Sequence, residues 1–325
     1  MTTLVTGASG YVGAHVAWHL QALGERVVGL DAWLNRTQNP LPEGALAVHG
    51  DVGDAELVAQ LAARHRFDQV VHCAGLIQVG ESVRHPDRYW DTNLVAAKRL
   101  LDTLRAAGLS PRVVFSSTAA VYGEPSRLPL DEDHPRLPQS PYGASKLAFE
   151  ALLADYDQAY GLRSVSLRYF NACGKGPYPG VCERHEPETH LVPLAIDAAL
   201  GRRGPLAVFG ADWPTPDGTC VRDYVHVTDL AEVHHRALAY LRDGGPSARI
   251  NVGTGHGHSV REVLAAVGRV TGRSVPHHDA PRREGDVAVL VAGVTRARSA
   301  LGWEARRTDL DAIVRDALEG RALLP

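Results

Sequence analysis

Residues 4–13 read LVTGASGYVG. A β-branched run ends at Thr6, glycines follow at positions 7, 10 and 13, and an amphipathic stretch then runs to Gly24. Glycines between a strand and a helix let the chain turn tightly. They also let an anion approach the backbone, where the helix N-terminus offers N–H donors and a positive dipole end. The G-x-x-G-x-x-G spacing therefore predicts a dinucleotide turn, with Gly7, Gly10 and Gly13 against the pyrophosphate.

The same alternation continues outward. RVVGLD, ALAVHGD, QVVHCAG, RVVFSST and RSVSLRYFN read as strands, and 55–64, 93–107 and 142–160 read as helices between them. Strands alternating with helices of this length predict a parallel sheet covered on both faces, an α/β Rossmann-like doubly wound fold. After Asn171 the pattern loosens, and proline, glycine and charge rise through CGKGPYPGVCERHEPETH. Two α/β elements return, VRDYVHV with a helix after Asp229 and RINVGTG with a helix after Ser259. The expected organisation is a dinucleotide-binding domain over 1–171, joined by parts of about 218–243, and a smaller C-terminal substrate-binding domain over 172–325.

Composition narrows the function. The 325 residues are 45% hydrophobic and 22% charged, with a formal net charge of -3. That balance fits a globular protein and lacks the basic excess of a nucleic-acid binder. Only Lys98, Lys146 and Lys175 are lysines. Cys73, Cys173, Cys182 and Cys220 have no CxxC spacing, so reduced thiols are expected. The start, MTTLVTGASG, does not read as a signal peptide, and no run of about 18 apolar residues predicts a membrane span. A soluble cytoplasmic protein is expected. His185, His190, His256, His258, His277 and His278 match no strong ligand spacing, so no metal is expected.

The strand ends carry the chemistry. Asp31 closes the second strand about 20 residues past the glycines, where an acid bonds ribose hydroxyls and repels a 2′-phosphate, favouring NAD over NADP. Arg36 is nearby, but the carboxylate outweighs it. Asp51 is placed to reach an adenine edge, and Ala74 and Gly75 are small enough for a cofactor to lie across them. Ligands of open α/β sheets sit at strand carboxyl ends, so the hydroxyls of Ser116 and Thr118 share that location. Tyr142 and Lys146 follow at i and i+4 on one helix face. Bringing a phenol from a pKa of about 10 to near 7 takes roughly 4 kcal/mol. A positive charge at about 5 Å supplies around 3 kcal/mol at an effective dielectric of 20. Lys146 together with an oxidised nicotinamide is thus sufficient to make Tyr142 a base for a substrate hydroxyl while hydride leaves to NAD.

With TGASGYVG, FSSTAAVYG, SPYGASK, LRYFNACG, ETHLVPL, VFGADWPTPDGTCVRDYVHV, INVGTG and APRREGD in view, the chain resembles the extended short-chain dehydrogenase/reductase superfamily and, within it, the UDP-glucose 4-epimerase family. The likeness covers nearly the whole chain. It implies reversible oxidation at sugar C4 of a UDP-hexose, a 4-keto intermediate, retained NAD and a homodimer. Tyr142 becomes the base, Lys146 its electrostatic partner and Thr118 the contact to the sugar 4-OH. Tyr11, Val12, Asp31, Asn35, Asp51, Val52, Asn93 and Phe170 match NAD contacts. Asn171, Leu191, Arg222, Arg283 and Asp286 match the uridine diphosphate site, and the forked donors of the two arginines suit a diphosphate. Leu290 matches a pocket position where tyrosine goes with simple hexoses and small residues with N-acetylated sugars. The chain departs from relatives at Ile77, where some carry a lysine near the pyrophosphate. It also has Ala32 and His190 where asparagine is common.

Other readings differ in definite features. A UDP-N-acetylhexosamine epimerase differs in pocket size. A 4,6-dehydratase needs an added acid and base after the strand-end threonine, where this chain has Ala119 and Ala120. A decarboxylase or uronate epimerase needs a cationic pocket for a carboxylate. A non-catalytic NAD-sensing protein on the same fold typically lacks the Tyr/Lys pair.

Overall fold

The expected alternation is realised in a computed structural model that describes residues 1–33, 38–283 and 286–324. In the first half, β1 (Thr2–Thr6) leads into α1 (Tyr11–Ala22), β2 (Arg26–Asp31), β3 (Leu46–His49), α2 (Ala55–His65) and β4 (Gln69–His72). Then come α3 (Val79–Arg84), α4 (Pro86–Trp90), a π-helical segment at Asp91–Ala96, α5 (Ala97–Ala106), β5 (Arg112–Thr118), α6 (Pro141–Tyr160) and β6 (Ser164–Tyr169). The helix expected over 93–107 is thus preceded by helical structure from Pro86. Proline is favoured at a helix start because its missing N–H has no intrahelical partner there.

The second half carries β7 (Asn171–Cys173), α7 (Leu191–Ala199), β8 (Leu206–Phe209), β9 (Val221–Arg222) and β10 (Tyr224–His226). It continues with α8 (Val227–Arg242), β11 (Ala248–Val252), β12 (His258–Ser259), α9 (Val260–Thr271), β13 (His277–Ala280), β14 (Val289–Leu290), α10 (Thr295–Leu301) and α11 (Leu310–Arg321). Helix α8 starts ahead of Asp229 because the His226 side chain caps it, accepting from Thr228 N at 3.1 Å.

Seven strands form one parallel sheet in the order β11-β6-β5-β4-β1-β2-β3. The order reverses between β1 and β4, which opens a crevice at their carboxyl ends. Val70, Val71, Val113 and Val114 are fully buried, as expected for strands covered on both faces. On one face, Val16 and Leu20 of α1 pack with Leu230 and Leu238 of α8. On the other, Leu61 of α2, Leu101 and Leu104 of α5, and Phe149 and Leu153 of α6 close the core. A separate apolar cluster joins α7, α9 and α11 through Ile196, Val263, Val267 and Ile313. The sheet therefore recruits α8 and β11 from the second half, while α7, α9 and α11 build their own core.

Short strands bring the far segments to the crevice. β7 pairs parallel with β10, setting Asn171 opposite Tyr224. β9 pairs parallel with β14, setting Arg222 opposite Leu290. No described helix is long and apolar enough to cross a membrane.

Candidate active site

The glycine turn is dictated by close approach. Gly7 has φ +65, and a Cβ there would stand 2.7 Å from the Ala74 nitrogen. A Cβ on Gly13 would stand 2.1 Å from the Gly7 carbonyl oxygen. Gly10 N donates to Gly7 O at 3.0 Å, and α1 opens directly after it. Val12 is half-buried beside the α1 core, and Tyr11 is buried, its hydroxyl donating to Gly174 O at 2.6 Å. That bond ties the turn to the second half of the chain.

Asp31 closes β2 beside the turn. Its carboxylate accepts from Ser9 N at 2.8 Å and from Trp33 N at 2.8 Å. Asp51 is exposed after β3, and accepts from Gly53 N at 2.6 Å; Val52 is buried below it. Asn35 and Arg36 lie outside the described residues. After β4, a Cβ on Gly75 would meet Asn93 Oδ1 at 2.9 Å and Lys146 Nζ at 3.1 Å, so only glycine lets these two side chains close on the strand end. These features fit a dinucleotide, with a cradle that side chains would fill and a carboxylate at the second strand end.

Asn93 lies in the π-helical segment and is 1% exposed. It accepts from Leu76 N at 2.8 Å and donates to Leu76 O and to Ser145 Oγ, both at 3.1 Å. It clamps the loop after β4 to the helix that carries Tyr142 and Lys146. Single π-helical turns inside α-helices recur at functional sites.

Helix α6 begins where it must for this chemistry. Ser140 caps it by accepting from Gly143 N at 3.2 Å, Pro141 occupies its first turn, and Gly161 ends it in the left-handed conformation. Tyr142 is therefore in the first turn and half-buried, with the Thr118 side chain close enough to act on its phenol. Thr118, at the end of β5, also accepts from Ala120 N at 3.1 Å. Burial raises the Tyr142 phenol above its ordinary value, and the Thr118 side chain partly opposes this.

Lys146 is 3% exposed and donates to the Ser116 carbonyl at 3.1 Å, with its ammonium 4.9 Å from the Phe115 ring centre. Burial lowers its pKa to about 8, although the nearby Cys73 thiol works the other way. Ser116 Oγ donates to Cys73 Sγ at 3.1 Å and accepts from Tyr169 OH at 2.9 Å. Its side chain thus faces a buried chain of protein groups while its carbonyl holds the lysine.

The expected substrate residues separate into two groups. Arg222 and Arg283 converge on Asp286, with contacts of 3.8 Å and 2.9 Å, and Leu290 follows on β14. Arg283 is largely exposed, while Arg222 and Asp286 are mostly buried. Leu290 packs with Phe170 against Ala119, Val121, Tyr122 and Leu130, next to the Thr118 strand end. Asn171 donates from its backbone and side chain to Asp223 O at 2.9 and 3.0 Å. Leu191 opens α7. Close to it lies a group that the histidine spacings did not reveal. Glu183, His185, Glu188 and His190 cluster with ligand atoms within 4.8 Å of one another. Their E-x-H-x-x-E-x-H pattern was the available signal, and it appears only when the acids are read with the histidines.

A doubly wound sheet with a glycine cradle at its first strand and a tyrosine–lysine helix beside a strand-end threonine defines a short-chain dehydrogenase/reductase type of protein. The chain belongs to the NAD dependent epimerase/dehydratase family, whose model matches residues 3–253. It is 48% identical over 315 residues to UDP-glucose 4-epimerase of Azospirillum brasilense, covering 97% of this chain and 90% of the relative. It superposes on UDP-glucose 4-epimerase from Brucella ovis in complex with NAD with a TM-score of 0.92 and 42% identity, covering 98% and 97% of the two chains. The enzyme from Bifidobacterium longum in complex with NAD+ and UDP gives a TM-score of 0.93 at 35% identity, covering 100% and 99%.

Proposed function

We propose that this chain interconverts UDP-galactose and UDP-glucose by reversible NAD-dependent oxidation at sugar C4 through a 4-keto intermediate. The observation that carries this reading is the placement of Tyr142 in the first turn of α6 with Lys146 one turn on, the lysine bonded to the Ser116 carbonyl of the strand that ends in Thr118. Bound NAD supplies reversible hydride acceptance. Tyr142 takes the C4 hydroxyl proton and returns it, while Thr118 orients that hydroxyl and Lys146 favours the phenolate. Gly7, Gly10, Tyr11, Val12, Gly13, Asp31, Asp51, Val52, Ala74, Gly75, Asn93, Ser116 and Phe170 form the cofactor's surroundings. Asn171, Leu191, Arg222, Arg283, Asp286 and Leu290 face the UDP-sugar. For the diphosphate to gain both guanidinium forks, Arg283 gives up part of its pairing with Asp286.

In the same reading, residues 1–171 with parts of about 218–243 and the β11 strand hold NAD, and the rest of 172–325 holds the UDP-sugar. A homodimer fits the exposed Val79, Val83, Trp90 and Val95 along 79–95, which present apolar surface without a partner in the monomer. A cytoplasmic setting fits four cysteines that are all free. The deciding experiment is to denature purified protein, assay for released NAD, and test conversion of UDP-galactose without added cofactor. Protein that carries no NAD and converts nothing, even with NAD supplied, rejects the assignment.

A further inference from the structure

The cluster ahead of α7 takes no part in the chemistry above. His190 Nδ1 lies 2.9 Å from Glu183 Oε1 and 2.8 Å from Glu188 Oε1. His185 Nδ1 lies 3.3 Å from Glu183 Oε1 and 3.9 Å from Glu188 Oε2. The two imidazole rings are 4.7 Å apart between centres. The carboxylates are hidden from solvent, with Glu183 and Glu188 side chains 7% and 9% exposed. Glu188 Oε2 and His185 Nδ1 are buried without a hydrogen-bond partner. Two buried carboxylates with incomplete pairing are costly on their own.

We propose that Glu183, His185, Glu188 and His190 form a binding site for a divalent transition metal of the zinc class. Two imidazole nitrogens and two carboxylate oxygens suit zinc, whereas magnesium and calcium prefer oxygen-only shells. Zinc–nitrogen and zinc–oxygen bonds of roughly 2.0–2.1 Å place tetrahedral ligand atoms about 3.3 Å apart. With Glu188 Oε2 as the ligand oxygen, the separations of 2.9, 3.3 and 3.9 Å among the ligand atoms span that value, so modest rotamer adjustments close the shell. A dication also cancels the two carboxylate charges and satisfies both orphaned atoms. Four protein ligands leave no open position, which makes the site structural rather than catalytic. The metal joins the 183–190 loop to the start of α7, and the His185 ring stands 6.3 Å from that of Tyr11 in the glycine turn. It thereby steadies the segment that carries Leu191 without touching the reacting atoms.

The test is metal binding itself, so its outcome is independent of any epimerase activity. Full-length protein is stripped with chelator, dialysed and titrated with zinc by calorimetry, with metal content measured afterwards. One equivalent bound at micromolar affinity or tighter is expected, and cobalt in its place should give the visible bands of a four-coordinate ion. H185A and E188Q should each weaken zinc binding about tenfold or more while melting as cooperatively as the parent. Substoichiometric zinc, or variants that bind as tightly as the parent, overturns the proposal and leaves the four residues as an ion-pair cluster only. Should the variants not fold, the cobalt spectrum of the unaltered protein decides alone: absence of four-coordinate bands at one equivalent overturns it.

Discussion

The Lys146 ammonium is held 3.1 Å from the Ser116 carbonyl, so the lysine is anchored to the same strand that ends in Thr118. Its charge is buried against Phe115 with no carboxylate bonded to it among the described residues. Such a group prefers to lose its proton, which gives a stability signature. The folded lysine titrates at about 8 and its ordinary value is 10.5. Between these values the unfolded chain holds a proton that the folded chain has released, so stability rises with pH across the window and the gain is lost as pH falls through about 8. Lys146→Met should remove this rise. Urea denaturation of NAD-free parent and variant at pH 7.5 and pH 10 checks it: the parent should gain on the variant at the higher pH.

Tyr142→Phe should abolish turnover while leaving UDP-sugar and NAD binding largely intact, because it deletes one oxygen and little volume. Burial keeps the phenol raised in the protein alone, so Lys146 needs the positive charge of the oxidised cofactor beside it to bring the phenolate within reach. Phenolate absorbance of parent minus Tyr142→Phe should therefore titrate at lower pH with NAD+ bound than without it. Turnover in the variant within tenfold of the parent removes Tyr142 as the base.

Thr118→Val keeps the shape and loses the hydroxyl. A fall of roughly tenfold to a thousandfold in rate is expected, the range for one positioned hydrogen-bonding group. The lost cap on Ala120 N costs about 1 kcal/mol of stability besides. Thr118→Ser should keep most of both. Steady-state rates and melts of the two variants separate chemistry from capping, and valine working as well as serine would make the hydroxyl structural.

Much of this site was legible because its signals are local. A glycine that abuts a backbone oxygen, a cap before a helix and a tyrosine one turn from a lysine are all set by near neighbours in sequence. The alternation of buried strands and amphipathic helices gave the sheet for the same reason. Less legible were features that depend on distant partners. The π-helical segment over 91–96 carries Asn93, which bonds Leu76 and Ser145 far along the chain, and no periodicity in that stretch announces it. The recruitment of β11 beside β6 is a register choice between residues about 83 apart, as Ala248 and Val165 illustrate. Lys146 bonding a carbonyl of β5 is likewise a tertiary choice.

Gly13→Ala provides a check on the turn. Alanine inside a helix is normally better than glycine by about 1 kcal/mol. Here the added methyl would stand 2.1 Å from the Gly7 oxygen, a backbone atom that cannot move without opening the turn. The clash should win: the variant should melt lower than the parent and release NAD at least tenfold more readily. Equilibrium dialysis and thermal melts measure both, and a more stable variant with unchanged NAD affinity would mean that the turn has slack.

Leu290 tests substrate size. It is half-buried on β14, and packs with Phe170 against the cluster of Ala119, Val121, Tyr122 and Leu130 that flanks the Thr118 strand end. It therefore lies at the border between core and crevice. A leucine leaves more room than a tyrosine and less than a glycine, and a hydrophobic pocket discriminates by only about 1–3 kcal/mol per methylene-scale change. UDP-galactose should be the better substrate, with detectable epimerisation of UDP-N-acetylgalactosamine. Leu290→Tyr should suppress the second activity more than the first, since the ring takes the space that an N-acetyl group needs. The rival account is that Leu290 serves the Phe170 cluster alone, in which case overpacking it lowers stability and both activities together. Measuring kcat/KM for both substrates and the melting temperature, in parent and variant, separates the two: a selective loss at unchanged stability supports the pocket role, and an equal fall with a lower melt ends it.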